Sequence, residues 1–151
     1  MQFQVSKAIQ FAMEAHKDQK YGDHPYLYHL DQVDRLVTQT QGRNTIEPGD
    51  RMDNLRAIAF LHDVVEDTDT TYEELYEAGF NEQVVQAVGR ITKHPSLNYN
   101  EYINNVLENE LATIVKLCDT SANLMNSIQE GNVKRINKYS NQIQLLGGFD
   151  V

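Results

Sequence analysis

The sequence predicts one all-α domain over residues 1–151, built from roughly seven to nine helices. Three observations predict it. Apolar residues recur at three- and four-residue spacing along almost the whole chain. Pro, Gly and capping residues punctuate those runs at intervals suited to short connections. No alternating apolar–polar stretch of useful strand length appears. The apolar fraction of 40% supports a folded globule with its own core.

The elements follow in chain order. Val5, Ile9, Ala12 and Met13 mark an amphipathic first helix, and Lys17 to Pro25 reads as a polar loop with Gly22 and Pro25. Leu30, Val33, Leu36 and Val37 share one face of a second helix. Gln41 to Asp50, with Gly42, Pro48 and Gly49, reads as a loop. One helix is expected from about Asp50 to Asp67, because Leu55, Ile58, Ala59, Leu61 and Val65 keep helical spacing. Thr71-Tyr72-Glu73-Glu74 is a capping-box pattern that opens a short helix, closed by Gly79. Val84, Val85 and Val88 mark the next, ending near Lys93, where His94-Pro95-Ser96 breaks it. Further helices are expected from Tyr99 to Leu107, from Leu111 to Asn126 and from Val133 to Leu146. Asp31, Asp34, Glu73, Glu74 and Glu77 read as solvated helix faces.

Charge and composition narrow the function. A net charge of −9 disfavours bulk nucleic acid and anionic membranes, both of which reward clustered Lys and Arg. It leaves room for a small anionic ligand whose charge a metal ion offsets. Cys118 is the only cysteine, so no intrachain disulfide forms, which fits a reducing, cytoplasmic setting. No apolar run approaches the roughly 20 residues that span a bilayer. The first seven residues lack a basic start followed by a long apolar stretch.

The chemistry concentrates in His62-Asp63-Val64-Val65-Glu66-Asp67-Thr68, which puts an imidazole and carboxylates into a run that otherwise reads as buried. Such groups are costly to bury unpaired, and a divalent cation is the simplest common partner. On a helix, His62 would stand above Glu66, and Asp63 above Asp67. One helix cannot surround an ion, so ligands must come from elsewhere. His29 follows the turn at Pro25-Tyr26, and Asp119 interrupts the apolar face of Val115-Lys116-Leu117-Cys118, with Asn123 one turn on. His29, His62, Asp63 and Asp119 would form a two-nitrogen, two-oxygen set suited to Mn²⁺, Fe²⁺, Co²⁺ or Zn²⁺. A cation so held lowers the pKa of its water and offsets phosphate charge. Glu66 and Asp67 could then align that water or move protons.

With these residues in place, the chain resembles the HD-domain metal-dependent phosphohydrolases, whose H…HD…D signature matches His29, His62-Asp63 and Asp119. It is most similar to the RelA/SpoT branch of (p)ppGpp hydrolases and small alarmone hydrolases. Residues 62–68 look like that branch's HDVVEDT motif. Ala15-His16-Lys17-Asp18-Gln19 followed by Pro25-Tyr26-Leu27-Tyr28-His29 resembles AHxGQ…PYxxH. Residues 115–124 resemble VKLADRxxN. The matches keep family order from about residue 5 to residue 126. The resemblance implies a helical HD fold, one Mn²⁺ on His29, His62, Asp63 and Asp119, Glu66 and Asp67 as the water-activating pair, and Asn123 on the ligand side. It implies removal of pyrophosphate from the 3′ position of a guanosine tetra- or pentaphosphate, with no synthetase or regulatory domain expected.

Two segments depart from the family pattern. The loop Lys20-Tyr21-Gly22-Asp23-His24 is shorter, with Lys20 as its only fixed positive charge, and Thr120-Ser121-Ala122 stands where the family has Arg-Leu-His. Lys20, Lys93, Lys116 and Arg90 are therefore the candidates for phosphate contacts, with Asn123, Tyr99 and Tyr102 as further ligand contacts. Alternatives to the leading substrate are another nucleotide, a phosphomonoester, or a nucleotide-binding module that does not turn over.

Overall fold

A computed structural model describes residues 2–42 and 50–147. Among these it has nine helices and one minimal hairpin: α1 (Gln2–Ala15), β1 (Lys20–Tyr21), β2 (His24–Pro25), α2 (Leu27–Gln41), α3 (Asp50–Leu61), α4 (Val64–Asp67), α5 (Tyr72–Glu77), α6 (Glu82–Ile91), α7 (Tyr99–Leu107), α8 (Glu110–Glu130) and α9 (Val133–Leu145). The all-α expectation holds. Most of the loop expected between Gln41 and Asp50 lies outside the described residues.

α3 is the central element. It packs against α1, α2, α6 and α8, and its Leu55, Ile58 and Leu61 are fully buried. Leu30, Val33 and Val37 of α2, Val84, Val88 and Ile91 of α6, and Val115 and Ala122 of α8 complete the core around it. Nearly all of α3 beyond its first turn is buried, which is why its sequence lacks a polar stripe.

Three expectations are corrected. Asp34 is buried, not solvated. It accepts two hydrogen bonds from the Arg56 guanidinium, at 2.9 and 3.1 Å, and this fork fixes α2 against α3. The loop from Lys17 to Pro25 carries an antiparallel hairpin, pairing Lys20 with Pro25 and Tyr21 with His24. Two residues per strand are too few for alternation to register in the sequence. The single helix expected from Asp50 to Asp67 is broken at His62-Asp63, where Asp63 takes φ −105° and ψ 1°. This is the bridge region, outside helical space. The Asp67 N–H still donates to the Asp63 carbonyl at 2.9 Å, so a short second helix restarts at once.

Caps set the remaining boundaries. Thr71 caps α5 by accepting from the Glu74 N–H, while the reciprocal capping box forms at α7 between Asn98 and Glu101. Gly131 closes α8 in the left-handed conformation at φ 69°, and its Cβ-free backbone turns the chain sharply into α9. That reversal lays α9 back along α8. Leu55→Ala should cost about 2–5 kcal/mol through an unfilled core cavity; urea unfolding followed by circular dichroism measures it.

Candidate metal centre and active-site cavity

Four ligand atoms, one each from His29, His62, Asp63 and Asp119, lie within 4.8 Å of one another. They arrive from three separate parts of the chain. His29 sits in the first turn of α2, His62 and Asp63 occupy the break after α3, and Asp119 lies mid-way along α8. The break aims two adjacent side chains at one point, which a continuous helix would hold about 100° apart.

The hydrogen bonds test whether a cation fits. The His62 Nδ1–H donates to the Ala59 carbonyl at 2.7 Å, which leaves Nε2 as the free ring nitrogen. That Nε2 is buried and lacks a hydrogen-bond partner, yet lies 3.1 Å from Asp63 Oδ2 and 3.3 Å from Asp119 Oδ1. A lone pair facing two carboxylate oxygens is repulsive unless positive charge stands between them. His29 Nε2 approaches the same Asp119 Oδ1 at 2.7 Å. The donor set and its geometry fit a divalent metal ion.

The electrostatics agree. Burial opposes charge on His62, but the Asp63 and Asp119 carboxylates outweigh it and hold its pKa well above the ordinary imidazole value. Burial likewise opposes charge on Asp63, and the facing His62 overrides it, lowering that carboxyl to about 2. Asp119 is held well below the usual carboxylate range, its burial overcome first by Lys116 and then by His62. The Lys116 ammonium, on a side chain 15% exposed, donates to Asp119 Oδ2 at 3.0 Å, while His29 and His62 face Oδ1.

A second layer holds these ligands. The Tyr26 hydroxyl donates to Asp63 Oδ2 at 2.5 Å. Tyr21 stacks flat on the His29 ring, with centroids 4.6 Å apart and planes 7° apart. Its hydroxyl donates to Asn123 Oδ1 at 2.6 Å, and Asn123 in turn donates to Asp119 at 3.3 Å. Asn123 therefore braces Asp119 and also borders the cavity.

That cavity, about 300 Å³, is lined by His29, Asp63, Glu66, Asp67, Asp119 and Asn123, and on its far side by Arg135, Lys138, Tyr139 and Gln142 of α9. Glu66 and Asp67 stand on its rim. The Glu66 carboxylate accepts from the Lys93 backbone N–H at 2.7 Å, and partial burial raises its pKa. Of the remaining sequence candidates, Lys116 and Asn123 face the cavity, while Lys20, Lys93 and Tyr99 do not line it. Lys20 is an exposed hairpin residue. The Lys93 ammonium caps the Leu97 carbonyl at 2.9 Å. Tyr99 stands behind the wall, accepting from Gln142 at 2.9 Å. Arg90 is taken up by Asn105 and Glu108.

Sequence reasoning passed over the α9 face. Arg135, Lys138, Tyr139 and Gln142 fall at i, i+3, i+4 and i+7, one stripe of a helix, and that mixture of cations with an aromatic is the signal that could have found it. Thr120, one of the departures from the family pattern, donates to Gln142 at 2.6 Å and helps seat this helix.

Comparison with known proteins agrees with this geometry. No family model matches the chain. The human guanosine-3′,5′-bis(diphosphate) 3′-pyrophosphohydrolase MESH1 is 33% identical over 129 residues, covering 80% of this chain and 68% of the human protein. The chain belongs to this pyrophosphohydrolase family. The zebrafish (Danio rerio) MESH1 is 33% identical over 126 residues, covering 78% of this chain and 66% of its own length. The Aquifex aeolicus guanosine-3′,5′-bis(diphosphate) 3′-pyrophosphohydrolase is 32% identical over 131 residues, and the match spans only 17% of that longer protein. A solved structure of a metazoan ortholog of SpoT that hydrolyzes ppGpp superposes with a TM-score of 0.73 over 95% of this chain and 85% of that one, at 24% identity. At that identity the superposition speaks for the fold, which family members share.

The raised His62 pKa makes a signed prediction. Below that pKa the metal-free protein carries a proton where the ion would sit, so metal binding must expel it. Apparent affinity for Mn²⁺ should therefore climb with pH, by up to about tenfold per unit, and level off above the His62 pKa. Calorimetry in buffers of different ionisation enthalpy should show proton release on binding, and Asp63→Ala should abolish stoichiometric uptake. An affinity flat in pH would remove His62 from the ligand set.

Proposed function

We propose that this chain is a single-domain, cytoplasmic, Mn²⁺-dependent phosphohydrolase that releases pyrophosphate from the 3′ position of a guanosine 3′-diphosphate nucleotide. One observation carries the reading: three members of the four-residue His/Asp cluster, His29, Asp63 and Asp119, line the same cavity as Glu66, Asp67, Arg135 and Lys138, with His62 buried behind them. The names of the relatives supply the substrate class. The buried, neutral Cys118 thiol, its pKa pushed up to about 11 by burial, suits a reducing compartment. Among the described residues no helix is long and apolar enough to cross a membrane.

His29, His62, Asp63 and Asp119 would hold the ion, which supplies Lewis acidity and a water nucleophile near neutral pH. The chain's own residues do the rest. Glu66 and Asp67 stand where a carboxylate can accept the proton of an attacking water. Partial burial raises the Glu66 carboxyl above its ordinary value, which favours it as a proton acceptor. Lys116 is committed to Asp119 and keeps that ligand ionised. Arg135, whose Nη1 also meets Glu130 Oε2 at 3.3 Å, and Lys138 would receive the phosphate oxygens, Arg135 through its fork of donors and Lys138 as a point charge. Both cations lie within 6 Å of the Tyr139 ring, at 5.7 and 5.3 Å, so that aromatic face steadies them before a ligand arrives. Lys20, Lys93 and Tyr99 would reach a ligand only by rearranging from these positions.

Purified protein loaded with Mn²⁺ should release pyrophosphate from guanosine-3′,5′-bis(diphosphate), and neither phosphate nor pyrophosphate from GTP, ATP or p-nitrophenyl phosphate. Glu66→Gln should lower kcat by about 10²–10⁴-fold. Arg135→Ala should act chiefly on KM. Silence across the whole panel would end the proposal, and tight nucleotide binding without product would replace it with a binding module.

A further inference from the structure

The segment before the hairpin holds two polar side chains that the reaction does not itself require, His16 and Gln19. His16 is 4% exposed, at the end of α1, and far more buried than its loop position calls for. Its Nδ1 lies 2.7 Å from Gln19 Oε1. The Gln19 Nε2 lies 3.1 Å from Asp67 Oδ2. The donor assignment follows from the far end of this chain. An ionised Asp67 carboxylate only accepts, so the amide atom facing it must be the NH₂. The amide oxygen then faces His16, and His16 must carry its proton on Nδ1. The other ring nitrogen, Nε2, is buried with no hydrogen-bond partner among the described residues. Were the amide turned over, its oxygen would oppose the Asp67 carboxylate. One orientation of Gln19 thus serves both neighbours, with its NH₂ on Asp67 and its oxygen on His16.

The backbone makes the arrangement rigid. The Gln19 N–H donates to the His16 carbonyl at 2.9 Å, and the Tyr26 N–H donates to the Gln19 carbonyl at 3.1 Å. The His16 ring packs on the Tyr26 ring, with centroids 4.7 Å apart. One buried ring thus backs both Tyr26, which holds Asp63, and Gln19, which holds Asp67.

We infer that His16 and Gln19 are positioning residues, a clamp that fixes the Asp67 carboxylate at the cavity rim for proton transfer. The inference rests on the functional reading above, in which Asp67 belongs to the water-activating pair. It differs from a metal-site role, because neither residue touches a ligand of the cluster through its polar atoms.

The test uses the full chain with Mn²⁺ and guanosine-3′,5′-bis(diphosphate). Gln19→Met keeps length and removes both hydrogen bonds; His16→Phe keeps the ring against Tyr26 and removes the Nδ1 donor. Each should lower kcat by about tenfold or more, with KM and the Mn²⁺ dissociation constant within twofold of wild type. The double variant should be no slower than the slower single, because both break one chain of bonds. Gln19→Glu, which sets a like charge against Asp67, should be slower than Gln19→Met. Thermal melts confirm folding, and if His16→Phe unfolds, the two Gln19 variants carry the test. An active wild type with Gln19→Met at wild-type kcat, or losses that multiply in the double variant, would overturn the clamp and leave the functional reading standing. A wild type inactive on the whole panel would overturn both.

Discussion

The buried carboxylate of Asp119 is the constraint around which the rest is arranged. It is 4% exposed, in the middle of the longest helix, where an unpaired charge would be severely costly. Its surroundings answer with Lys116 on one oxygen, the two imidazoles on the other, and Asn123 beside them. Those partners come from α2, from the break after α3 and from α8 itself, so the three helices must meet at this point for the charge to be tolerated. A well-packed apolar cluster of similar volume would serve stability as well or better. The fold spends stability on a charged centre, and a centre of this composition has its use in holding a cation.

Net charge sharpens that conclusion. A chain of charge −9 repels a polyphosphate at long range, so binding has to be organised locally. On the proposed function the cavity would do this with two devices: the His/Asp cluster, whose donor set fits a divalent ion, and Arg135 and Lys138 of α9. Lys116 adds charge without adding a free phosphate donor, because its ammonium is tied to Asp119. The Lys and Arg residues that line the cavity besides Lys116, namely Arg135 and Lys138, both belong to α9.

The sequence displayed the metal centre and hid the opposite wall, for one physical reason. His29, His62, Asp63 and Asp119 each interrupt an apolar run, and an ionisable group on a buried face has few explanations. Arg135 and Lys138 sit on a helix that is polar around most of its circumference, where cations are the ordinary solvent-facing residues. Only the turn at Gly131 brings that face over the cavity, and no local pattern announces where a reversed helix will land. The break at Asp63 was hidden for a related reason: apolar spacing continues through it, from Leu61 to Val65, so periodicity alone reads one helix where there are two. Asp34 misled in the other direction, since its partner Arg56 is 22 residues away and invisible to local pattern.

The short segment from His16 to Tyr26 contains one of the two departures from the family pattern, and much of the bracing originates there. Tyr26 holds Asp63, Tyr21 covers His29 and reaches Asn123, and Gln19 holds Asp67. Each of these contacts ties the segment to a residue of the cluster or the cavity lining. The residues that differ, from Lys20 to His24, include the exposed tip of the hairpin, whose Gly22 at φ 60° has open space around it. A loop can lose length and charge at such a tip while its base stays anchored by hydrogen bonds to the site. The base of the segment thus braces the His/Asp cluster and the rim carboxylates, while Gly22, Asp23 and His24 at the tip lie outside the lining of that cavity.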